Sequence, residues 1–547
     1  MFLASKVGAR LLTTTTGGGA QRYYRAFQYS HHLRAAKMTT THQQIRGCAL
    51  AAVRSSTRTT TTAYDSHSSW KKNNDQLRRR PTKRECRTVV ITASSSSSSS
   101  AVAAAARVKE VAILGSGAAG LTAAYFAAVT QKDAKTVVRV TVYEKTKESG
   151  KKILMSGGAR CNVLPVEATI DDYVTDSNPR LAKAILQSWT VPKCLSWLRD
   201  DVRLELGIEH TTNKYFPLSN SSREVRDKLV EACKREGVTF QYETNVKKIT
   251  KNEANDTYVV NTEDGKDIEA DVLVLSMGGS SFPAVGTDGT GYVIAERDLK
   301  VGVNKPYPAL VPLVGEHPGG EYLPGVSLDC QVKIKKVEKK KAKQAARMGF
   351  LFTHKGYSGP SILDLSHNVV KSIADGSVEN NSSRNSNSSS VSSSSSSKLV
   401  VNWNPSCDWN EVLSPGKSGS GSDLVVRRLK PLLPTRLCEA LLKEAEVDLT
   451  TNVSNLPKKK RVHLIDILSN YEIKATGHQG YRKAEVTGGG IALEGIDTKT
   501  MELKEMKNIY VCGEICDIFG RIGGFNFLWA WTSGRLAGIS CSSGCIE

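Results

Sequence analysis

The chain has 547 residues and a formal net charge of +21. It is too long for one simple domain and, on its face, basic enough for a nucleic-acid or membrane-surface partner. The distribution argues against that reading: residues 1–107 hold 18 Lys/Arg against three acids, Asp65, Asp75 and Glu85, leaving about +6 for the rest. Nucleic acid is therefore not the expected partner. The twelve cysteines include no C-x-x-C pair and no histidine at zinc-ligand spacing, so free thiols and no metal are expected.

The leader, residues 1–107, is rich in Arg, Ser, Thr and Ala and poor in acid, and "MFLASKVGARLL" can form a short amphipathic helix with Lys6 and Arg10. This is the composition of an organellar transit peptide, with mitochondrion and chloroplast both open, rather than of a generic basic arm. Val111–Thr130 is a charge-free stretch long enough to mimic a membrane span, but its glycines point elsewhere. Val111–Leu114 reads as a buried strand and Gly115, Gly117 and Gly120 follow as G-x-G-x-x-G. Leu121–Ala128 then reads as a helix, and "TVVRVTVYEK" as a second strand ending at Glu144. This is a βαβ unit for a dinucleotide. The glycines serve the tight turn, the approach of a pyrophosphate and close helix packing, and the helix N-terminus meets the phosphates. Glu144 can accept from ribose hydroxyls and would repel a 2′-phosphate.

Val272–Ser276 is another buried strand, stopping at Gly278-Gly279, where backbone can pass close to a ligand. Short strands and turns are expected from about Lys305, then a low-complexity Ser-rich insertion, then an amphipathic helical stretch over about 424–475 with Pro434 at a helix start. "NIYVCGE" returns to a strand, Ile509–Cys512, and "GGFNFLWAWTSGRLAG" opens with two glycines and continues as a helix. Two helix N-termini at the carboxyl edge of one sheet suit a flavin dinucleotide: one meets the pyrophosphate, the other the N1–O2 edge that becomes negative on reduction. Glu514 or Asp517 could bond the ribityl hydroxyls, while Trp529 and Trp531 read as core.

Six stretches in order, "VAILGSGAAGLTAAYFA", "YEKTKESGKKILMSGGARCNV", "KYFPLSNSSREVRDKL", "GFLFTHKGYSGPSILDLS", "VTGGGIALEGIDTKTME" and "YVCGEICDIFGRIGGFNFLWAWTSG", resemble the BaiN/YhiN-like family of FAD-dependent oxidoreductases over roughly 109–538. The resemblance implies an α/β architecture: a glutathione-reductase-like Rossmann FAD domain with inserted β-barrel-like and small helical domains. The expected division is a leader at 1–107, the first part of the FAD-binding domain at 108–304, a β-rich substrate domain at 305–423 with its poly-Ser loop at 376–398, a helical subdomain at 424–477, and the rest of the FAD-binding domain at 478–547. Carried over motif by motif, the resemblance places Gly115, Gly117, Ala118, Ala119 and Gly120 at the pyrophosphate and Glu144 at the adenosine ribose. Lys145, Lys152, Ser156, Gly157, Arg160, Cys161 and Asn162 would lie along the cofactor, and Val246 would meet the adenine through its backbone. Gly513, Glu514, Asp517, Gly524, Phe525 and Asn526 would finish the flavin end. The family usually carries Gly where Ala159 stands.

The function expected from this is hydride transfer through flavin N5 between a small organic substrate and NAD(P)H, another acceptor or oxygen. No second G-x-G-x-x-G is present, and "GTDGTG" at 286–291 has the wrong spacing and opens no strand–helix turn, so a nicotinamide would bind only transiently over the flavin. No catalytic residue is assigned: Cys161 reads as a buried thiol, His354 as a turn residue, and Tyr215 and Tyr357 are unranked. The alternative is a flavin-containing RNA-associated protein or a noncatalytic flavin-binding module, for which "KIKKVEKKKAKQAAR" could touch phosphates.

Overall fold

The computed structural model describes residues 108–130, 137–335, 348–375, 398–415 and 422–543. The leader, most of the Lys/Arg-rich run and the poly-Ser insertion lie outside the described residues.

Five short strands, the inner ones strongly apolar, build the central sheet. Strands β1 (Lys109–Leu114), β2 (Val138–Tyr143), β3 (Thr239–Gln241), β4 (Val272–Leu275) and β6 (Met506–Val511) lie parallel in the order β6-β4-β1-β2-β3, with Glu502–Leu503 antiparallel on the outer edge of β6. Val111 pairs with both Val272 and Val140, and Leu273 with Ile509, so a strand from the chain's last fifty residues enters the sheet begun at residue 109. Continuous hydrophobic strands of this kind are buried on both faces, and all four residues of β4 are buried. The membrane-span mimic is thereby divided into β1, a turn and helix α1 (Ala118–Thr130). No helix among the described residues is long and apolar enough to cross a membrane. Between β3 and β4 the chain makes a three-stranded antiparallel sheet, Val246–Asn252, Thr257–Thr262 and Asp267–Ala270.

The last helix, α2 (Phe525–Ser543), lies against α1 with backbones in contact. A Cβ on Gly534 would sit 2.5 Å from the Ala119 carbonyl oxygen, and one on Gly538 would sit 2.4 Å from that of Ala123. Small residues four apart on both helices permit this approach. The indoles of Trp529 and Trp531 are buried, and each donates its N–H to a backbone carbonyl, of Gly513 at 2.9 Å and of Val163 at 3.0 Å.

The chain leaves this domain through Val303–Ala309 and returns through β5 (Val486–Ile491), and the two crossings pair antiparallel, Val303 with Ile491 and Ala309 with Val486. Between them is a seven-stranded sheet whose edges are Tyr471–Glu472 and Ala475–His478. The intervening Ile473-Lys474 spans about 10 Å at most, so a sheet with these two strands on opposite edges has to roll up. That is the barrel-like insertion. Helices Val425–Leu429, Thr435–Glu444 and Lys458–Asn470 close it and share one hydrophobic core with its strands, built around Phe350, Phe352, Trp403, Leu441 and Leu468. Pro434 caps the second of these helices. The stretch at 286–291 opens a helix, Thr290–Arg297, but no strand–helix turn, in line with the sequence expectation. It is approached from the 3-10 turn Pro283–Val285 rather than directly from a strand.

Candidate functional site

The parallel sheet ends its strands in glycines and polar loops on one edge. At the end of β1, Gly115 has φ +104, and Ser276, just past β4, donates its hydroxyl to the carbonyls of Leu114 and Gly115 at 3.0 and 2.8 Å. A Cβ on Gly120 would lie 2.0 Å from the Gly115 carbonyl oxygen, so the helix enters as tightly as backbone allows. A Cβ on Gly117 would meet nothing within 4 Å. One glycine is therefore forced by packing, while the other faces open space above the first turn of α1, where Ala118 and Ala119 begin the helix. The free N–H groups of a helix N-terminus beside an open glycine make a cradle that a pyrophosphate fits.

Glu144 stands at the end of β2. Its carboxylate accepts from the Ser116 N–H at 3.0 Å, the Ser116 hydroxyl at 2.6 Å and the Thr146 N–H at 2.8 Å. It is thereby fixed beside the glycine turn with lone pairs to spare for a ribose. Thr244 donates to the Glu144 carbonyl at 2.9 Å, which brings the chain leading to Val246 to the same end. Lys145 pairs with Asp288. Farther along, Gly513 follows β6 and lies against Ala119, and Glu514 pairs with Lys152 at 2.7 Å and accepts the Thr487 N–H at 3.0 Å. The Thr487 hydroxyl in turn accepts from the N–H groups of Ser280 and Ser281, directly after Gly278 and Gly279. Residues 115–120, 144, 152, 278–279 and 513–514, distant in sequence, thus meet along one edge.

Other expected cofactor residues carry packing roles as well. Arg160 donates to Glu209 at 2.9 Å and Asn220 at 2.8 Å, with its guanidinium over Phe216. Cys161 is fully buried, and burial pushes its thiol up to about 12, which is the state of a structural thiol and not a nucleophile. It lies in a strained loop with Ser156, Gly157 and Asn162, where Gly157, Ala159 and Cys161 all have positive φ. Asp517 is buried, and its Oδ2 accepts from the N–H groups of Asp176 and Ser177 and the amide of Asn304, tying the end of β6 to the first crossing strand. Asn526 closes a ring with Gly520, its carbonyl accepting that residue's N–H and its amide donating to that residue's C=O, both at 2.8 Å. Phe525 packs edge-on against Tyr173, and Gly524 lies against the backbone of Leu164.

His354 is exposed in a turn and bonded to Tyr322, while Tyr357 is in the core of the insertion. Sequence reasoning missed three charged residues at this end. Lys214 reaches the Gly523 turn. Asp364 accepts the Ile522 N–H at 2.7 Å, and desolvation raises its carboxyl to about 6. Glu485, just before β5, lies close enough to Lys152 for their charges to act on each other. Lys214 and Asp364 stand inside quoted motifs, "KYFP" and "SILDLS", but nothing in their spacing joins them.

Residues 109–540 match the model of the HI0933-like protein Rossmann domain. Against the ribosomal RNA dihydrouridine synthase of Escherichia coli (strain K12) the chain is 29% identical over 424 residues, which cover 77% of this chain and 95% of that protein. Against the protein of the same name from Haemophilus influenzae (strain ATCC 51907 / DSM 11121 / KW20 / Rd) it is 29% identical over 80% and 99% of the two chains. The 3-dehydro-bile acid delta(4,6)-reductase of Clostridium scindens (strain ATCC 35704 / DSM 5676 / VPI 13733 / 19) is 26% identical over 79% and 98%.

Proposed function

This chain belongs to the HI0933-like Rossmann family, and on that premise we propose that it is an FAD-dependent reductase of carbon–carbon double bonds conjugated to a carbonyl, acting on uracil rings of ribosomal RNA. The observation that carries the flavin reading is the parallel packing of two glycine-opened helices, Gly534 of α2 against Ala119 and Gly538 against Ala123 of α1, so that both N-termini point to the same side. FAD supplies a hydride at N5 when reduced. The protein supplies the rest: the first turn of α1 and Gly117 for the pyrophosphate, Glu144 for the adenosine ribose, and Lys152 and Glu514 between the two ends.

The substrate class is supported by what the relatives' names share. A dihydrouridine synthase saturates the C5–C6 bond of uracil, conjugated to the C4 carbonyl, and a delta(4,6)-reductase saturates olefins conjugated to a ketone. In a uracil ring the hydride would add to C6, the carbon β to the C4 carbonyl, and a proton to C5. RNA ranks second on charge distribution alone; the names of two relatives matched over nearly their whole length move it first. The transit-like leader gives this reading a location, an organelle with its own ribosomes. NADH or NADPH is the proposed donor, bound over the flavin, since the described residues hold one dinucleotide turn.

The test starts with a visible spectrum of the purified protein and anaerobic reduction by each nicotinamide. The reduced protein is then mixed with unmodified ribosomal RNA transcripts or with a steroid enone. A gain of two hydrogens on one uridine, seen by mass spectrometry, supports the RNA reading. Turnover of the enone with untouched RNA supports the small-molecule reading.

A further inference from the structure

Strand Lys214–Pro217 pairs with Leu164–Pro165, placing Pro165 opposite Lys214, and Leu164 is the residue on which Gly524 packs. Lys214 is thereby carried to the turn that opens α2. A Cβ at position 523, where φ is +128, would lie 2.6 Å from Lys214 Cε and 3.3 Å from its Nζ. The φ of +128 at position 523 favours glycine, and the flexible end of Lys214 lies directly over it.

The ammonium has no hydrogen-bond or contact ion-pair partner among the described residues. The carboxylates that face it are engaged elsewhere: Glu209 holds Arg160 and the Thr212 hydroxyl, and Asp364 accepts the Ile522 N–H. Arg521, the remaining charge nearby, is paired with Asp172. Burial lowers the Lys214 pKa, while Asp364 and Glu209 act on it only at a distance. A half-buried cation without a contact partner, lying against the N-terminal turn of a helix, is costly unless a negative group joins it.

We propose that Lys214 is the cation that faces the N1–O2 edge of bound flavin, adding its charge to the N-terminus of α2 and favouring the reduced, anionic cofactor. The proposal rests on the FAD reading above and adds a residue that sets the flavin's reduction potential.

The experiment compares FAD-loaded wild type with Lys214→Met, Lys214→Gln and Lys214→Arg, measuring flavin content and then midpoint potential by anaerobic equilibration with a reference dye. The Met and Gln proteins are expected to hold at least tenfold less reduced flavin at a fixed potential, a shift of about 30 mV for a two-electron couple, and the Arg protein to stay near wild type. If the Met protein does not retain flavin, the Gln protein carries the comparison. Yellow variants with an unchanged potential overturn this proposal alone, as does an Arg protein that falls as far as Met. A wild type that takes up no FAD overturns the parent reading with it.

Discussion

The two glycine turns that open α1 and α2 are held by different means. The first is nearly self-contained: Gly115, Ser116 and Gly120 are braced by Glu144 and Ser276, the ends of the two strands flanking β1. The second, residues 520–526, is assembled from far away. Asp172 holds Arg521, Asp364 holds Ile522, Lys214 crosses Gly523 and Leu164 lies under Gly524. Asp364 follows the helix Pro360–Leu363 of the insertion. On the proposed reading, the nucleotide end of the site therefore belongs to one domain, whereas the flavin end is complete only when the insertion is docked. Anything that loosens the insertion should alter redox properties before it alters nucleotide affinity.

The largest expected effect lies in the first turn. Gly120→Ala forces a methyl onto the Gly115 carbonyl and should cost about 3 kcal/mol or more, read as loss of folded protein in urea melts. Gly117→Ala puts a methyl into open space. The apoprotein should stay within about 0.5 kcal/mol of wild type, while FAD affinity falls at least tenfold. A Gly117→Ala protein that binds FAD normally would remove the pyrophosphate from this turn and break the comparison at its better-founded side.

The second turn should respond to pH. Asp364 has its carboxyl raised to about 6 from an ordinary 3.8, chiefly by desolvation, so the folded state holds its proton more tightly than the unfolded chain. The stability this contributes is complete below the unfolded pKa and is lost as pH rises from about 4 to about 6, with a loss of up to about 3 kcal/mol. Asp364→Asn keeps the acceptor for Ile522 and has nothing to ionise. Denaturation midpoints compared from pH 4 to pH 7 should therefore move in the variant's favour over that window and then run parallel. A constant difference across the range would mean that the carboxyl is not desolvated and that the insertion does not seal this end. Asn526→Ala strands both backbone groups of Gly520 at once and should cost about 2 kcal/mol by the same denaturation measurement.

This asymmetry also explains what could be read from the sequence. The βαβ unit was legible because strand, turn, helix and acid follow each other within 36 residues, from Lys109 to Glu144, and each step has its own residue signal. The C-terminal strand and helix were legible as elements, and the flavin end as a place, from Gly523-Gly524. Its actual partners were not, because Asp172, Lys214 and Asp364 reach it across gaps of up to 349 residues and carry no periodicity. Asp517 and Asn526 stand out in the sequence as polar residues beside glycines, and the structure shows both tied into backbone knots. A side chain that braces a loop and one that touches a cofactor have the same spacing pattern, and only three-dimensional packing separates them.

The smallest expected effect concerns the loop between the two turns. Gly157, Gly158, Ala159 and Cys161 all have positive φ, and Ala159, at +70, is exposed, so its strain is not repaid by burial. An alanine held in the left-handed region costs about 1–2 kcal/mol relative to glycine, offset in part by glycine's greater freedom in the unfolded chain. Ala159→Gly should therefore stabilise the apoprotein by about 0.5–1 kcal/mol, measured as an increased urea midpoint at unchanged slope. If FAD binding holds this loop in the same conformation, the gain persists in the loaded protein. If the gain vanishes on loading, the loop relaxes when the cofactor arrives, and the segment joining the two turns is the part of the site that moves.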